Sequence, residues 1–204
     1  MCEEVFELLC AMDRQKIELQ IVLQCAPTIA GMKTSNLLIV PRNQEDKVRF
    51  VLRHSWLMGY RLVYDRQRVI FLVFNRDMLM SYLAKKDIRE FLSTFGYRTD
   101  AFGYTLRNFQ SRYDSYINDR KEFPHEIGVF LGYPLCDVKG FIENGGDGFV
   151  LSGYWKVYDH KAEAQELFEK FDDVKDDMVR MISKGYGMKD ILMEYAGTSA
   201  SMVG

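Results

Sequence analysis

The run Val69-Ile70-Phe71-Leu72-Val73-Phe74 is the longest strongly apolar stretch of the chain, and it constrains the fold more than any other. β-Branched and aromatic residues suit a pleated backbone, and a strand that is apolar on both faces needs cover on both. Just upstream, residues 60–64 and the polar turn Asp65-Arg66-Gln67 read as the first arm of a β-hairpin. The second arm, 69–74, is therefore expected to be the central strand of a sheet.

Around this hairpin the apolar spacing predicts helices. Val5, Leu8, Leu9 and Met12 share one helical face, and a second helix from Ile17 is expected to stop near Cys25-Ala26-Pro27, since proline disfavours the α conformation before it. A short strand over 36–40 is cut off by Pro41, after which Asn43 reads as the N-cap of a helix carrying Val48, Val51 and Leu52, closed by Gly59. Asn75 can cap a helix with Met78, Leu79, Tyr82 and Leu83. Asp87 and Glu90 suggest a capping-box start for Ile88, Phe91, Leu92 and Phe95, stopped by Gly96. Phe102, Leu106, Phe109, Tyr113 and Ile117 line one side of a longer helix, and Val138, Phe141 and Ile142 belong to a short one. Residues 149–158 read as the last strand. Leu167, Phe171, Val174, Met178 and Met181 mark a long helix, and Ile191, Leu192 and Tyr195 a shorter one.

About four strands against eight or more helices, without regular alternation, imply an α+β fold, a small sheet of about four strands covered by several helices. The expectation is one globular domain over 1–197, with 198–204 a disordered tail. Segments 69–74 and 149–158 are expected to share one sheet, packed by the helix that bears Leu167 and Phe171.

Composition removes several function classes. Over 204 residues, 27 Lys+Arg against 29 Asp+Glu leave a net charge of −2, which gives no general attraction to nucleic acid or to an anionic membrane. The start of the sequence is acidic where an export signal would be basic, and no apolar run approaches the roughly 20 residues of a membrane span. A cytoplasmic protein is expected. Cys2, Cys10, Cys25 and Cys136 show no CxxC spacing and are read as free thiols. His54, His125 and His160 lack the spacing of a metal-binding helix face, so no metal site is expected. A single His or Cys on haem or iron stays open, and the cofactor is unknown. Gly145-Gly146-Asp147-Gly148 reads as a turn rather than a phosphate cradle, because no helix follows it.

Chemistry gathers in Phe123-Pro124-His125-Glu126-Ile127-Gly128-Val129-Phe130-Leu131-Gly132-Tyr133-Pro134, where prolines and glycines bracket a His-Glu pair in apolar surroundings. This phrase, the following Asp137-Val138-Lys139-Gly140-Phe141-Ile142, the strand Gly153-Tyr154-Trp155-Lys156-Val157-Tyr158 and the earlier Cys25-Ala26-Pro27-Thr28-Ile29-Ala30-Gly31-Met32-Lys33 together resemble DUF3793. That is an uncharacterised family of domains of unknown function from anaerobic Gram-positive bacteria. The resemblance covers nearly the whole chain and implies a single domain, with no activity attached. The family often carries a Cys before its Gly-Tyr-Trp phrase, where this chain has Ser152.

Two functions follow from these residues. The first is a ligand-binding or interaction protein, its partner a small molecule or a protein, with a pocket around the 25–33 loop and the His125-Glu126 element. Lys33 and the Tyr154, Lys156 and Tyr158 face of the last strand would bind the ligand. The second is a thiol-dependent hydrolase or transferase, with Cys25 as nucleophile, His125 as base, and Glu126 or Asp137 orienting the imidazole. The plainer alternative makes Cys25 a small buried hydrophobe and places His125 and Glu126 at a helix N-terminus. Cys25, Lys33, His125 and Glu126 are expected to converge on one pocket, with Cys25 more reactive than Cys136.

Overall fold

The structure is a computed structural model that describes the backbone of residues 2–200 and the side chains of residues 2–196. It divides into two compact units, one joining Met1–Asn75 to Glu169–Gly204 and the other comprising Arg76–Phe168.

The first unit contains the hairpin. Strands β1 (Ser35–Pro41), β2 (Leu57–Tyr64) and β3 (Arg68–Asn75) form an antiparallel sheet in the order β1-β3-β2, so the apolar strand is central as its composition demands. Leu38 faces Phe71 across β1 and β3, and a register shift between Arg61 and Val63 lets both Leu62 and Val63 be buried. Helices α1 (Glu3–Ala11), α2 (Ile17–Ile29) and α3 (Glu45–Arg53) contribute to one apolar core with this sheet. The last part of α9 (Lys161–Ser183) adds Val174, Met178 and Val179, and α10 (Met188–Ala200) adds Ile191 and Leu192. On the free edge of β1, the Gln24 side chain of α2 both accepts from the Ile39 N–H (2.8 Å) and donates to its carbonyl (3.1 Å).

Several expectations are corrected here. Helix α2 does not stop before Pro27 but runs through it to Ile29. Proline costs one hydrogen bond and crowds the preceding turn, and α2 ends within two residues, so little helix is disturbed. It closes on Gly31 (φ 71°), with Gly31 N donating to the Thr28 carbonyl and Met32 N to that of Pro27, the bond pair of a Schellman cap. Asn43 is not an N-cap: Arg42–Gln44 form a 3-10 turn, and α3 follows without a side-chain cap. Gly59 does not close α3 but lies in β2, where a Cβ would come within 2.4 Å of Leu52 Cδ1.

The second unit holds α4 (Arg76–Leu83), α5 (Lys86–Thr94), α6 (Phe102–Asp119), α7 (Ile127–Phe130), α8 (Leu135–Glu143) and a small hairpin, β4 (Leu151–Ser152) with β5 (Lys156–Val157). Helix α5 begins without the expected capping box, its N-cap Lys85 making no side-chain bond. Residues 149–158 do not join β3: they form a separate two-stranded sheet, because the chain bends at 153–155 and leaves only two residue pairs in register. The boundary between the units falls inside α9, after Phe168. Of the expected disordered tail, residues 198–200 continue α10 and residues 201–204 lie outside the described residues. No helix among the described residues is long and apolar enough to cross a membrane.

Candidate ligand-binding site

In the first unit, Cys25 lies in α2 and Lys33 just beyond its glycine cap. Cys25 is fully buried, and burial pushes its thiol up to about 12, with the nearby Lys33 charge pulling against it. Lys33 is 5% exposed, and burial pulls its ammonium down to about 8. The structure therefore brings these two residues together. It also places Cys25 in the opposite state from a nucleophile, which needs access and a lowered pKa. Of the two thiols compared in sequence, Cys136 is the exposed one.

In the second unit, one turn of helix, α7, presents His125 and Glu126 at its start. Gly132 (φ 71°) closes that turn: its N–H donates to the Val129 carbonyl and Tyr133 N to that of Gly128, so the sequence can fold straight into α8 after Pro134. A side chain at Gly128 would meet Val138 Cγ2 at 2.7 Å, which fixes glycine there.

Glu126 is fully buried. Its Oε1 accepts hydrogen bonds from the Tyr97 hydroxyl (2.9 Å) and from Arg112 Nε, while its Oε2 is buried without a hydrogen-bond partner. Burial, then the adjacent Glu126 carboxylate, pushes the Tyr97 phenol upward, so Tyr97 remains the donor. His125 is half-buried between Phe123 (5.2 Å between centroids) and Phe141 (5.5 Å), and its Nδ1 is also buried without a partner. Among the described residues no carboxylate is bonded to this imidazole: Glu126 turns its bonded oxygen to Tyr97 and Arg112, and Asp137 is engaged by the hairpin. Asp137 accepts from Trp155 Nε1 and from the Tyr158 backbone N–H, both at 2.7 Å.

The sequence places Tyr154, Lys156 and Tyr158 opposite Trp155 and Val157, and burial alternates in that way, with Trp155 and Val157 inside. The outer three are themselves packed. Lys156 Nζ donates to the Gly146 carbonyl (2.6 Å) and lies 5.7 Å from the Phe141 centroid, so Lys156 and His125 meet the same ring. The Tyr158 ring covers Gly140, where a Cβ would come within 2.5 Å of it, and Tyr154 packs on Phe168 at 5.5 Å. Of the sequence-designated residues, Cys25 and Lys33 thus adjoin in one unit, and His125, Glu126, Lys156 and Tyr158 belong to the α7–α8 and hairpin region of the other.

Sequence reasoning missed Tyr97 and Arg112. Tyr97 looks like an ordinary residue after a helix-stopping glycine, and Arg112 sits among the mixed charges of α6; only folding brings them to Glu126. Among the described residues no group of three His, Cys, Asp or Glu side chains is placed to hold a metal.

Fold and site together describe a helix-rich α+β protein whose most chemically suggestive residues are built into its packing. The chain belongs to the DUF3793 family, described as a protein of unknown function, whose model matches residues 21–192. That span includes all four phrases singled out in sequence. No curated protein and no solved structure matches the chain.

Proposed function

We propose that this chain is a ligand-binding protein and not a thiol enzyme, with its site at the His125-Glu126 element. The observation that carries this reading is the pair of buried hydrogen-bonding atoms on consecutive residues, His125 Nδ1 and Glu126 Oε2, each without a partner. A buried polar atom left unpaired costs about 1–3 kcal/mol, so a protein that retains two of them gains when a ligand supplies the missing bonds. Phe123 and Phe141 flank the imidazole, which favours a small flat molecule carrying a hydrogen-bond donor. Lys156 lies 5.7 Å from the centroid of the same Phe141 ring. The burial of Cys25 argues against the thiol-enzyme alternative, since it closes off access to the sulfur and pushes the pKa up, away from the thiolate a nucleophile needs.

The test is an NMR titration of the His125 ring signals with benzamide, benzamidine and benzylamine, against benzene derivatives that lack a donor. Binding by the donor-bearing probes, lost in His125→Phe and in Glu126→Gln when followed through the Phe123 and Phe141 ring signals, supports the reading. Failure of every probe to shift the His125 signals defeats it. In parallel, Cys2, Cys10 and Cys136 should react with iodoacetamide in the native protein while Cys25 reacts only after unfolding. A fast-reacting Cys25 would restore the thiol-enzyme reading.

A further inference from the structure

A second feature stands apart from the His125-Glu126 element and lies wholly within the sheet-bearing unit. The tip of the β2–β3 hairpin and the 3-10 turn before α3 frame an open concavity of about 590 Å³, walled in part by Arg42, Asn43, Asp46, Tyr64, Arg66 and Gln67. Arg42 is held in place from three directions. Its backbone N–H donates to the Gln67 carbonyl (2.9 Å), its Nε donates to the Tyr64 hydroxyl (2.6 Å), and its guanidinium lies 4.4 Å from the Tyr64 ring centroid. Those contacts leave its two terminal nitrogens with no bond among the described residues. The guanidinium of Arg61 lies over the same ring at 4.9 Å.

Charge distribution then decides the ligand chemistry. Glu45, also on the wall, is neutralised by Arg49 (2.6 Å) and Arg61 (3.1 Å), and Asp65 in the turn is engaged by Arg68 (3.2 Å). Arg66 makes no ion pair among the described residues, and neither does Asp46. The concavity therefore offers two guanidinium forks with donors to spare, one uncommitted carboxylate, and the amides of Asn43 and Gln67. Two forks match the near-double charge of a phosphate monoester better than the single charge of a carboxylate. Asp46 would repel a bare anion, but it accepts from a hydroxyl or ammonium elsewhere on the same molecule.

We propose that this concavity binds a small phosphate monoester whose other end carries a hydroxyl or ammonium group, with Arg42 and Arg66 on the phosphate and Asp46 on the donor. The two available sources of that chemistry are a phosphorylated sugar and a phosphorylated amino alcohol. Arg42 is set in advance by Tyr64, which lowers the ordering cost of binding.

Isothermal titration of the full chain at low salt, using glucose 6-phosphate, O-phosphoethanolamine and inorganic phosphate as probes, tests the proposal. At least one ester should bind at least tenfold more tightly than inorganic phosphate, and the tighter of the two identifies the source. Arg42→Gln and Arg66→Gln should each weaken the ester about tenfold. Asp46→Asn should erase the preference for ester over inorganic phosphate. Arg66→Gln, in an exposed turn, keeps the test valid if Arg42→Gln disturbs the hairpin. Absence of ester binding, equal affinity for ester and inorganic phosphate, or binding indifferent to both arginine changes overturns the proposal.

Discussion

Both units bury ionisable groups, and they compensate for them in different ways. In the sheet-bearing unit, burial is the largest influence on the titration of Cys25 and Lys33 and drives each towards its neutral form, Cys25 lying within the apolar core. In the helical unit, Glu126 and Asp137 are met by designated donors, an arginine and a tyrosine for one, an indole and a backbone N–H for the other. A residue that looks catalytic in sequence can thus be a small hydrophobe in one setting and a structural clasp in another. Only the partners distinguish the two.

The contrast can be broken most forcefully at Asp137. Asp137→Ala leaves the Trp155 indole and the Tyr158 N–H without their acceptor, and at about 1–3 kcal/mol for each stranded buried donor the expected loss is about 4 kcal/mol. Urea denaturation measures it, and a loss below about 1 kcal/mol would show that the clasp is dispensable. Next in size is Gly140→Ala, which drives a methyl group against the Cβ and Cγ of Tyr158, atoms too close to the backbone to swing away. Overpacking of this kind costs about 2 kcal/mol, and a midpoint equal to wild type would refute the close packing.

The sheet-bearing unit should reveal itself through pH. Lys33 has its pKa lowered to about 8 from 10.5, so between those values the unfolded chain holds more protons and stability rises with pH. Cys25 has its pKa raised from 9.0 to about 12, so over that higher range the folded chain holds more protons and stability falls. The two contributions oppose each other where they overlap, so Lys33→Met should abolish the rise that begins near pH 8 and expose a decline from about pH 9, and Cys25→Ala should remove that decline. Unfolding curves taken from about pH 7 to 11 check both, and an unchanged profile in Lys33→Met would place the buried ammonium elsewhere. The smallest effect sharpens the glycine argument by contrast. Gly103, in α6, would have nothing within 4 Å of an added Cβ, so Gly103→Ala should stabilise the protein by about 0.5–1 kcal/mol. Destabilisation there would mean that the glycines are not distinguished by their neighbours.

The hairpin, its central strand and the long helix α9 were legible because their signals are local: an unbroken apolar run, a polar turn and strict helical spacing. The fate of 149–158 was not, since its apolar and aromatic content suits a strand, while the bend at 153–155 depends on Gly153 meeting Phe168, where a Cβ would come within 2.4 Å. Pro27 misled for a similar reason. A proline near a helix end is cheap, and the true stop is the left-handed Gly31. At the site, the importance of His125 and Glu126 could be read from their setting, but the partners of Glu126 could not. Tyr97 and Arg112 are 29 and 14 residues away from it in sequence and carry no pattern of their own.

The embrace of Ile39 by Gln24 has a meaning beyond the stability of the sheet. A three-stranded sheet ends in two exposed rims, and a rim of free backbone groups is an invitation for another polypeptide to add itself as a further strand. One amide side chain, offering a donor and an acceptor at the spacing of a peptide unit, occupies that invitation on β1. Pro41 at the end of the same strand withholds another donor, and the irregular step near Leu62 breaks the regular ladder at the opposite rim. Both rims thus offer fewer free backbone groups for a further strand to pair with than regular edge strands would.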